Sequence, residues 1–531
     1  MKKDLLLIVF AFLLVTKSFS QVISGIHVYE PSNSKFTDYD LDPQGRIYFG
    51  GYVRPHNTTG PDTIGNITYD GYWYEDGMTC RADSAGFIDW INITGSYDGL
   101  EDTKSIRYWN GDVYSAGIFI AQSGSIYFNG TSIPFQFGCC YNGYLMKQSE
   151  DGVFDWLFDL QYDVYDMEMD NSGNCYVTET GALKKVNSLG TQVWSVNIGP
   201  YESKLFLQND TIYLLGIFQD SVNIGGNIFV AYGPQYDVDM YLARYLASSG
   251  NFIDAVHIGS ATWDVPHDIS ADANGNVWIS GIAGDSTLWV QDPLFGTGRR
   301  IFFTKLNNDL SPGFCDVFPM ISPGYGITGE MIFNSSNERL ATLNLADSII
   351  IGTDTLSFQD GGGYEGGCVL VKWDAAGNLI WYKILASPAN GSTDVAWVSA
   401  HLRKSLNGKY FLAGQMRQSC YIEGVNYDAI NYYQAFFASL TDTSSILEVP
   451  QLNAKDPELI FQNPVKDKLV ITSGEIASSI TIYNLFGEVV DQIKPGGFTS
   501  SMDVSRLSAG GYFFRFEGKE KVLQRKFIKY Q

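Results

Sequence analysis

The sequence predicts an all-β fold with a repeated architecture, and three observations support this prediction. The 531 residues include 55 Gly, 33 Tyr and 33 Phe, a composition that favours strands and turns over helices. No stretch sustains apolar residues at the i, i+3, i+4, i+7 spacing of an amphipathic helix. One turn-and-strand phrase also recurs, which at this length indicates a repeat array or two to three domains.

The recurrent phrase is clearest at residues 270–281, SADANGNVWISG, where a tight turn precedes a strand. Its first strand residue in the seven copies is Ile47, Val113, Cys175, Ile212, Val277, Leu340 or Tyr410. An aromatic residue follows in six copies, as Tyr48, Tyr114, Tyr176, Tyr213, Trp278 and Phe411. A Gly recurs four residues after the first strand residue, as Gly51, Gly117, Gly216, Gly281 and Gly414. The chain therefore contains seven related units.

A second turn-and-strand phrase alternates with the first and often carries Trp, as Trp90, Trp156, Trp194 and Trp381. Two turn-centred hairpins per unit make four strands, which is the content of one propeller blade. Most units also insert a short hairpin, for example at 125–133, 221–228 and 349–356, whereas the third unit lacks it. We therefore predict a seven-bladed β-propeller over residues 21–447, with one blade completed by strands at 22–29 and 434–440.

These repeats resemble the bacterial SBBP repeats, whose consensus runs through d-x-x-G-N-x-Y-v-x-G, a Gly hairpin and f-x-x-K-x-d-x-x-G-N-x-x-W. The resemblance implies a seven-bladed propeller scaffold and no particular reaction.

The first 20 residues predict a signal peptide. Lys2 and Lys3 precede the apolar run at 5–15, and small residues at Ser18 and Ser20 predict cleavage between Ser20 and Gln21. The apolar run is too short to span a bilayer, and no later stretch predicts a transmembrane span. We therefore expect export.

The C-terminal region differs in character from the repeats. After a linker at 448–457, short strands and Gly turns over 458–531 predict a small Ig-like antiparallel β-sandwich. The segments FQNPVKDKL (461–469), IYNLFGEVV (482–490), DVSRLSAGGYFFRF (503–516) and QRKFIKYQ (524–531) resemble, in order, the motifs of the type IX secretion system type A sorting domain. Phe461-Gln462 replaces the family's Tyr-Pro, and SAGGY holds one extra residue.

This second resemblance implies a sorting signal and an export route. The matching positions are Asn463, Pro464, Tyr483, Asn484, Gly487, Leu507, Gly511, Tyr512, Lys526, Phe527, Ile528 and Lys529. It implies passage through the periplasm to the outer-membrane surface or the medium, with the type IX machinery as partner. In that family the tail is usually removed, and the passenger is attached to surface lipopolysaccharide or released.

No cofactor is predicted, although calcium stays open. Asp38, Asp40 and Asp42 match the first ligands of an EF-type loop, but Pro43 and a missing Glu break the motif. Asp and Asn also stabilise tight turns, which is the favoured explanation here and for Asp272. The seven Cys form no C-x-x-C pair; a Cys80 disulfide to Cys139 or Cys140 and simple burial both remain open.

The sequence leaves the activity undecided. Net charge is −23 and no basic stripe appears, so nucleic acid is not an expected partner. No metalloprotease, nucleophile-elbow or phosphate-loop motif occurs. A non-enzymatic binding protein with an unknown glycan or protein ligand is the first hypothesis, and aromatic loops at 69–77 and 426–437 are candidate sugar contacts. The alternatives are a spacer in the cell envelope and a hydrolase or lyase of polysaccharide or protein, which would gather acidic and basic side chains from several blades in one pocket.

Overall fold

The computed structural model describes residues 22–29, 33–54, 61–72, 75–96, 99–120, 125–134, 142–233, 237–284, 300–319, 327–345, 349–352, 354–356, 366–388, 397–405, 408–417, 420–422, 425–427, 433–441, 459–461, 465–473, 476–484, 489–508, 510–519 and 522–529. These residues form strands, turns and bends without a helix, so the chain is all-β as predicted. No helix long and apolar enough to cross a bilayer occurs in them. Two compact units divide the chain, residues 21–442 and residues 443–531 together with 1–20.

The first seventeen strands run in chain order as follows: β1 Val22–Val28, β2 Asn33–Leu41, β3 Ile47–Arg54, β4 Asp62–Ile64, β5 Ile67–Tyr69, β6 Asp76–Ala82, β7 Ile88–Gly95, β8 Glu101–Trp109, β9 Asp112–Phe119, β10 Ser125–Phe128, β11 Thr131–Pro134, β12 Asn142–Ser149, β13 Phe154–Leu160, β14 Val164–Met169, β15 Cys175–Glu179, β16 Ala182–Val186 and β17 Gln192–Asn197.

The next strands complete the larger unit: β18 Ser203–Gln208, β19 Thr211–Gln219, β20 Ser221–Ile224, β21 Asn227–Val230, β22 Val238–Leu246, β23 Phe252–Ile258, β24 Val265–Ala271, β25 Val277–Ala283, β26 Arg300–Leu306, β27 Pro312–Pro319, β28 Ile327–Phe333, β29 Arg339–Leu345, β30 Ile349–Ile351, β31 Asp354–Leu356, β32 Gly367–Trp373, β33 Leu379–Pro388, β34 Trp397–Lys404, β35 Tyr410–Arg417, β36 Cys420–Ile422, β37 Val425–Tyr427 and β38 Gln434–Thr441.

The described part of this unit contains seven antiparallel sheets of four or six strands. In chain order of their first strands they are sheet 1 (β2-β3-β6-β7-β10-β11), sheet 2 (β8-β9-β12-β13), sheet 3 (β14-β15-β16-β17), sheet 4 (β18-β19-β22-β23), sheet 5 (β24-β25-β26-β27), sheet 6 (β28-β29-β32-β33-β36-β37) and sheet 7 (β34-β35-β38-β1). The second strands β3, β25 and β35 are buried along almost their whole length, because both of their faces are covered.

The first strands of the seven sheets contact one another in chain order, and β34 of sheet 7 in turn contacts β2 of sheet 1. Apolar clusters span neighbouring sheets: Phe411 and Phe437 of sheet 7 share one with Phe36 and Phe49 of sheet 1. The predicted pairing of the two ends is confirmed, because β1 pairs antiparallel with β38 and places Val28 opposite Phe436. The chain thus brings its first and seventh sheets together.

The recurrent turn is built by one side chain. The carboxylate of Asp170 accepts hydrogen bonds from the backbone N–H groups of Ser172 (2.9 Å) and Asn174 (3.0 Å). Gly173 has φ +76°, which a residue with a Cβ rarely adopts. The Tyr176 hydroxyl then donates to the same carboxylate at 2.9 Å, so the aromatic residue that follows this turn also contacts its Asp.

Asp42 and Asp272 act in the same way, which supports the turn explanation of these acidic segments. Asp42 accepts the N–H groups of residues 44 and 46, and Asp272 those of residues 274 and 276. The indole N–H of Trp278 donates to Asp272 at 3.3 Å.

Trp residues of the second phrase tie consecutive sheets together. Trp90 donates its indole N–H to the Glu150 carbonyl (3.1 Å), and Trp156 donates to the Ser188 carbonyl (3.2 Å). A Cβ added at Gly190 would lie 2.9 Å from the Trp156 ring, so the turn glycine also lets the ring pack closely. Each Trp therefore reaches the turn of the next sheet.

The short inserted hairpins are confirmed as β10–β11, β20–β21 and β30–β31, and β15 connects directly to β16 in the third unit. Cys80, Cys175 and Cys368 are buried free thiols. Cys80 packs in the apolar core of sheet 1, whereas Cys139 and Cys140 lie outside the described residues. Burial is thus the observed role of Cys80.

The smaller unit contains β39 Leu459–Phe461, β40 Lys468–Ser473, β41 Ser479–Tyr483, β42 Val489–Ile493, β43 Thr499–Asp503, β44 Gly510–Glu517 and β45 Val522–Lys529. They form two sheets, β39-β40-β43 and β42-β41-β44-β45. One buried cluster joins them, with Leu469 and Met502 from the first sheet and Ile482, Phe514 and Phe527 from the second. This unit therefore has a core of its own.

Candidate ligand-binding site

A cavity of about 510 Å³, here called the central cavity, lies where the first strands of all seven sheets meet. Its lining comprises Lys35, Thr37, Lys104, Ile118, Asp163, Val164, Tyr165, Glu202, Lys204, Pro266, His267, Glu330, Asn344, Ser399, Ala400, His401 and Gln415. A cavity of this size with convergent polar groups is the usual form of a small-molecule site.

Bulges in the first strands place side chains in this cavity. The pairing register shifts around Thr37 in β2, Lys104 in β8, Tyr165 in β14 and His267 in β24, and all four residues line the cavity. A bulge leaves one extra residue unpaired and redirects its side chain. The bulged residues thus face the space that the sheets share.

The recurrent strand glycine allows the first and second strands of a sheet to approach each other closely. In sheet 1, a Cβ added at Gly51 would lie 1.8 Å from the carbonyl oxygen of Lys35, which shows how closely β2 approaches β3 there. In sheet 7, where β34 pairs with β35 without a bulge, a Cβ added at Gly414 would lie 2.0 Å from the Ser399 carbonyl oxygen. The glycine of the repeated phrase is therefore linked directly to the geometry of the cavity.

An ion-pair network lies further along the same strands. Asp38 pairs with Arg107 of sheet 2 (2.6 Å) and with Arg403 of sheet 7 (2.8 Å). Arg107 also pairs with Glu168 at 3.0 Å, and Arg403 pairs with Glu330. Burial opposes ionisation of Asp38, but the two guanidinium groups outweigh it and hold its pKa below the usual value.

Carboxylates of this network also join neighbouring first strands through the backbone. Asp38 accepts the N–H of Ile106 (3.1 Å), and Asp166 accepts that of Leu205 (2.9 Å). The same contact recurs from Asp268 to Met331 at 2.7 Å and from Glu330 to Leu402 at 2.9 Å. These acids are therefore engaged between sheets. Asp38 was considered from the sequence only as a candidate calcium ligand, and Asp166, Asp268 and Glu330 were not singled out.

Three lysines line the cavity in different electrostatic settings. Lys104 pairs with Asp102 at 2.7 Å. Within the part of the chain that the structure describes, no hydrogen bond or ion pair reaches the ammonium group of Lys35 or Lys204. Burial would lower the pKa of Lys204, but the Coulomb fields of Asp166 and Glu202 outweigh it and raise that pKa, so Lys204 stays charged. Burial lowers the pKa of Lys35, and the opposing field of Asp102 does not outweigh it. Both lysine side chains thus line the cavity without a hydrogen bond or an ion pair in the described residues.

Neutral and acidic groups complete the wall. Burial, reinforced by the charge of Lys204, lowers the pKa of His267 to about 3, so this imidazole is neutral at physiological pH. Burial raises the pKa of Asp163, and one of its carboxylate oxygens is enclosed without a hydrogen-bond partner in the described residues. Glu202 lies at the exposed end of the cavity. Acidic and basic side chains from several sheets therefore do gather here.

The aromatic loops named as sugar contacts are mostly internal. Tyr69 is buried, and Tyr72 packs on Tyr127 with ring centroids 5.5 Å apart. Phe436 and Phe437 are buried in sheet 7, and residues 73–74 and 428–432 lie outside the described part. These described aromatic residues fill the space around the sheets rather than facing solvent.

Comparison with known families decides the nature of the smaller unit. Residues 459–530 match the family Por_Secre_tail, described as a secretion system C-terminal sorting domain. The C-terminal region is a type IX sorting domain. It implies interaction with the type IX secretion machinery and export to the cell surface or the extracellular space.

Several of the predicted sorting residues meet on the edge of this domain. Tyr512 stands opposite Phe527 in the β44–β45 pair, and their rings stack with centroids 5.6 Å apart. The Tyr512 hydroxyl donates to the Ser508 carbonyl at 3.0 Å. Leu507 is partly buried against the same core, which includes Tyr512 and Phe527. Tyr512 and Phe527 therefore have a packing role in addition to any role in recognition.

For several of the other predicted sorting residues, the structure gives the strand-pairing partner or the position at a strand end. Gly511 pairs with Ile528, and Lys526 with Phe513. Lys529 ends β45 and forms a parallel bridge with Val465, while Tyr483 ends β41 and Asn484 follows it. Asn463, Pro464 and Gly487, like the predicted cleavage pair Ser20 and Gln21, lie outside the described residues.

No curated protein sequence matches the chain. Solved structures with some similarity include a quinohemoprotein alcohol dehydrogenase from Comamonas testosteroni (10% identity, 83% of this chain and 79% of that one, TM-score 0.36). Others are BamB from Moraxella catarrhalis (11% identity, 80% and 95% coverage, TM-score 0.28) and the Pan2 WD40 domain of Neurospora crassa (10%, 77% and 89%, TM-score 0.37). Similarities this low assign no function.

Proposed function

We propose that this chain is a type IX cargo whose larger unit is a closed seven-bladed propeller of SBBP type that binds a ligand in its central cavity without catalysing a reaction. An N-terminal signal peptide, cleaved between Ser20 and Gln21, would begin export, and an Ig-like sorting domain would complete it. The cyclic contacts of the seven first strands and the β1–β38 pairing support a closed ring.

One observation carries the binding proposal. The acids of the ion-pair network are each engaged by arginine or backbone N–H groups, whereas Lys35 and Lys204 face the cavity without a contact in the described residues. Charged groups held in a partly buried space gain most from a partner that replaces their lost water. The cavity is therefore better suited to holding a polar ligand than to proton transfer by the network acids.

The binding proposal is tested with the chain from residue 21 on an array of glycans and on a panel of envelope proteins. We expect a specific ligand that loses about tenfold or more in affinity in Lys204→Met. Lys305→Met changes a half-buried lysine that does not line the cavity and is the matched control. Full binding by Lys204→Met would overturn a site in the cavity.

The sorting proposal has a separate test in the native host. Deletion of residues 526–531 removes most of the terminal motif and should leave the protein in the periplasm. Normal appearance on the cell surface or in the medium would reject the assignment of this motif as the signal. Surface-retained protein would further be probed for attached lipopolysaccharide.

A hydrolase or lyase acting on polysaccharide or protein is the second candidate, and Asp163 and Glu202 favour it. Both acids line the cavity from adjacent sheets, and burial raises the pKa of Asp163 as a general acid requires. This alternative predicts turnover of a bound substrate that Asp163→Asn abolishes while binding remains. Binding without turnover would favour the first candidate.

A further inference from the structure

Three exposed aromatic residues occupy equivalent loops of consecutive sheets. Tyr162 lies between β13 and β14, Tyr201 between β17 and β18, and Trp263 between β23 and β24. Their side chains are 46%, 41% and 45% exposed, respectively, which is unusual for residues of this size. Each loop enters the first strand of a sheet, and these are the strands that surround the central cavity.

The chain positions connect these aromatic residues to the cavity. Tyr162 directly precedes Asp163, and Tyr201 directly precedes Glu202, both of which line the cavity. Trp263 lies three residues before Pro266, another lining residue. Tyr162, Tyr201 and Trp263 are called here the aromatic rim.

Buried carboxylates hold two of these loops in a fixed conformation. Glu179 accepts the backbone N–H of Gln161 at 2.9 Å. Asp264 accepts the N–H groups of Ser260 (2.6 Å) and Gly284 (3.0 Å), on either side of the Trp263 loop. Because the loops are already ordered, a ligand that contacts Tyr162 or Trp263 has little conformational entropy to remove.

We propose that the aromatic rim and the central cavity together bind an acidic oligosaccharide, with sugar rings stacked on the rim and a carboxylate or sulfate group directed at Lys204 and Lys35. Pyranose rings have an apolar C–H face that packs on aromatic rings and hydroxyl groups that need polar partners. The rim offers the first surface, and the carboxyl groups of Asp163 and Glu202 offer the second.

The acidic group follows from the lysines. Neutral sugars would leave Lys35 and Lys204 without a direct ion pair, whereas an anionic sugar forms charge-assisted hydrogen bonds with them. A peptide ligand would not require aromatic residues spaced over three consecutive loops. This inference rests on the proposed binding function and specifies its ligand class and its additional contact surface.

The test is titration calorimetry of the chain from residue 21 with a galacturonic acid hexamer and with maltohexaose as the neutral probe. We expect the acidic hexamer to bind about tenfold or more tightly than the neutral one, and its affinity to fall as salt is added. Tyr201→Ala and Trp263→Ala should each weaken binding about tenfold. Tyr421→Ala, which removes a comparably exposed tyrosine (36%) outside the cavity lining, should not.

The outcomes of these experiments distinguish the acidic-oligosaccharide inference from the proposed ligand binding on which it rests. If Lys204→Met weakens binding of a protein or neutral ligand while the rim variants do not, the cavity site stands and the acidic-sugar inference is wrong. If neither hexamer binds and binding of no array ligand depends on Lys204, both the acidic-sugar inference and the proposal of a binding site in the cavity are wrong. Equal affinity for the two hexamers would also overturn the inference. Unfolding curves of each variant establish that the folded chain is being compared.

Discussion

Carboxylates are used differently in the recurrent turns and in the ion-pair network that joins the first strands of the sheets. In a turn, one side chain such as Asp272 accepts N–H groups from residues only two and four positions further on. In the ion-pair network, Asp38 contacts Arg107 and Arg403, and the latter lies 365 residues away in sequence. The comparison teaches that the turns shape each sheet separately, whereas the network depends on all sheets being in place.

The largest expected effect contrasts these two settings directly. Asp38→Ala leaves two buried guanidinium groups without their shared partner and should lower the free energy of unfolding by about 3–5 kcal/mol. Asp272→Ala removes a carboxylate that accepts hydrogen bonds from local backbone N–H groups. It should lower the free energy of unfolding by about 1–2 kcal/mol. Urea unfolding of both variants checks the difference. Equal losses would mean that the network contributes no more than a turn.

The second prediction isolates the packing of Trp on a turn. Gly190→Ala places a Cβ 2.9 Å from the Trp156 ring at φ +76°, and Gly181→Ala introduces a Cβ at φ +80° into open space. Both variants should lose about 1–2 kcal/mol of unfolding free energy because Ala disfavours the left-handed conformation. Gly190→Ala should lose about 1–2 kcal/mol more because its Cβ crowds the Trp156 ring. Thermal unfolding of the pair measures the excess. No excess would show that Trp156 does not pack on the turn of sheet 3.

The third prediction concerns acid sensitivity at the cavity. The folded-state pKa of His267 is about 3, below the unfolded value of 6.5, so the folded state binds fewer protons. The contribution of His267 to the free energy of unfolding is therefore fully present above pH 6.5. It is lost as pH falls, by about 2 kcal/mol at pH 5. Urea unfolding at pH 7 and pH 5 should show this loss in the parent and not in His267→Gln. The same loss in both proteins would place a charged imidazole in the cavity.

The same contrast explains how far sequence reasoning reaches. Turns, strand pairs and the sorting domain were predictable because each is encoded within a few neighbouring residues, such as Asp170, Gly173 and Tyr176. The cavity was not, because its residues come two to four at a time from seven sheets and the loops that enter them, and share no chemical identity. A partial signal exists: Asp38, Asp166 and Asp268 each stand nine positions before the first strand residue of their phrase, at Ile47, Cys175 and Val277.

The Asp that recurs at this position of the repeat, as Asp38, Asp166 and Asp268, identifies a structural contact between sheets and not a ligand site. The cavity residues Lys35, Lys204 and His267 occupy corresponding regions of different repeats but are not all of one type. The aromatic rim is hidden for the same reason, since many of the described aromatic residues are buried and the sequence alone does not distinguish them from exposed ones. Exposure, which only the folded arrangement reveals, distinguishes Trp263 from Trp278.

The meeting of the first and seventh sheets around the cavity is the claim on which the account depends, and a double-mutant cycle on Asp38 and Arg403 tests it most directly. Unfolding free energies of Asp38→Asn, Arg403→Gln and the double variant give the coupling between the two side chains. We expect a coupling of about 1–3 kcal/mol, because the groups form a buried ion pair at 2.8 Å. Additive losses would contradict the closure of the seven sheets around a shared cavity.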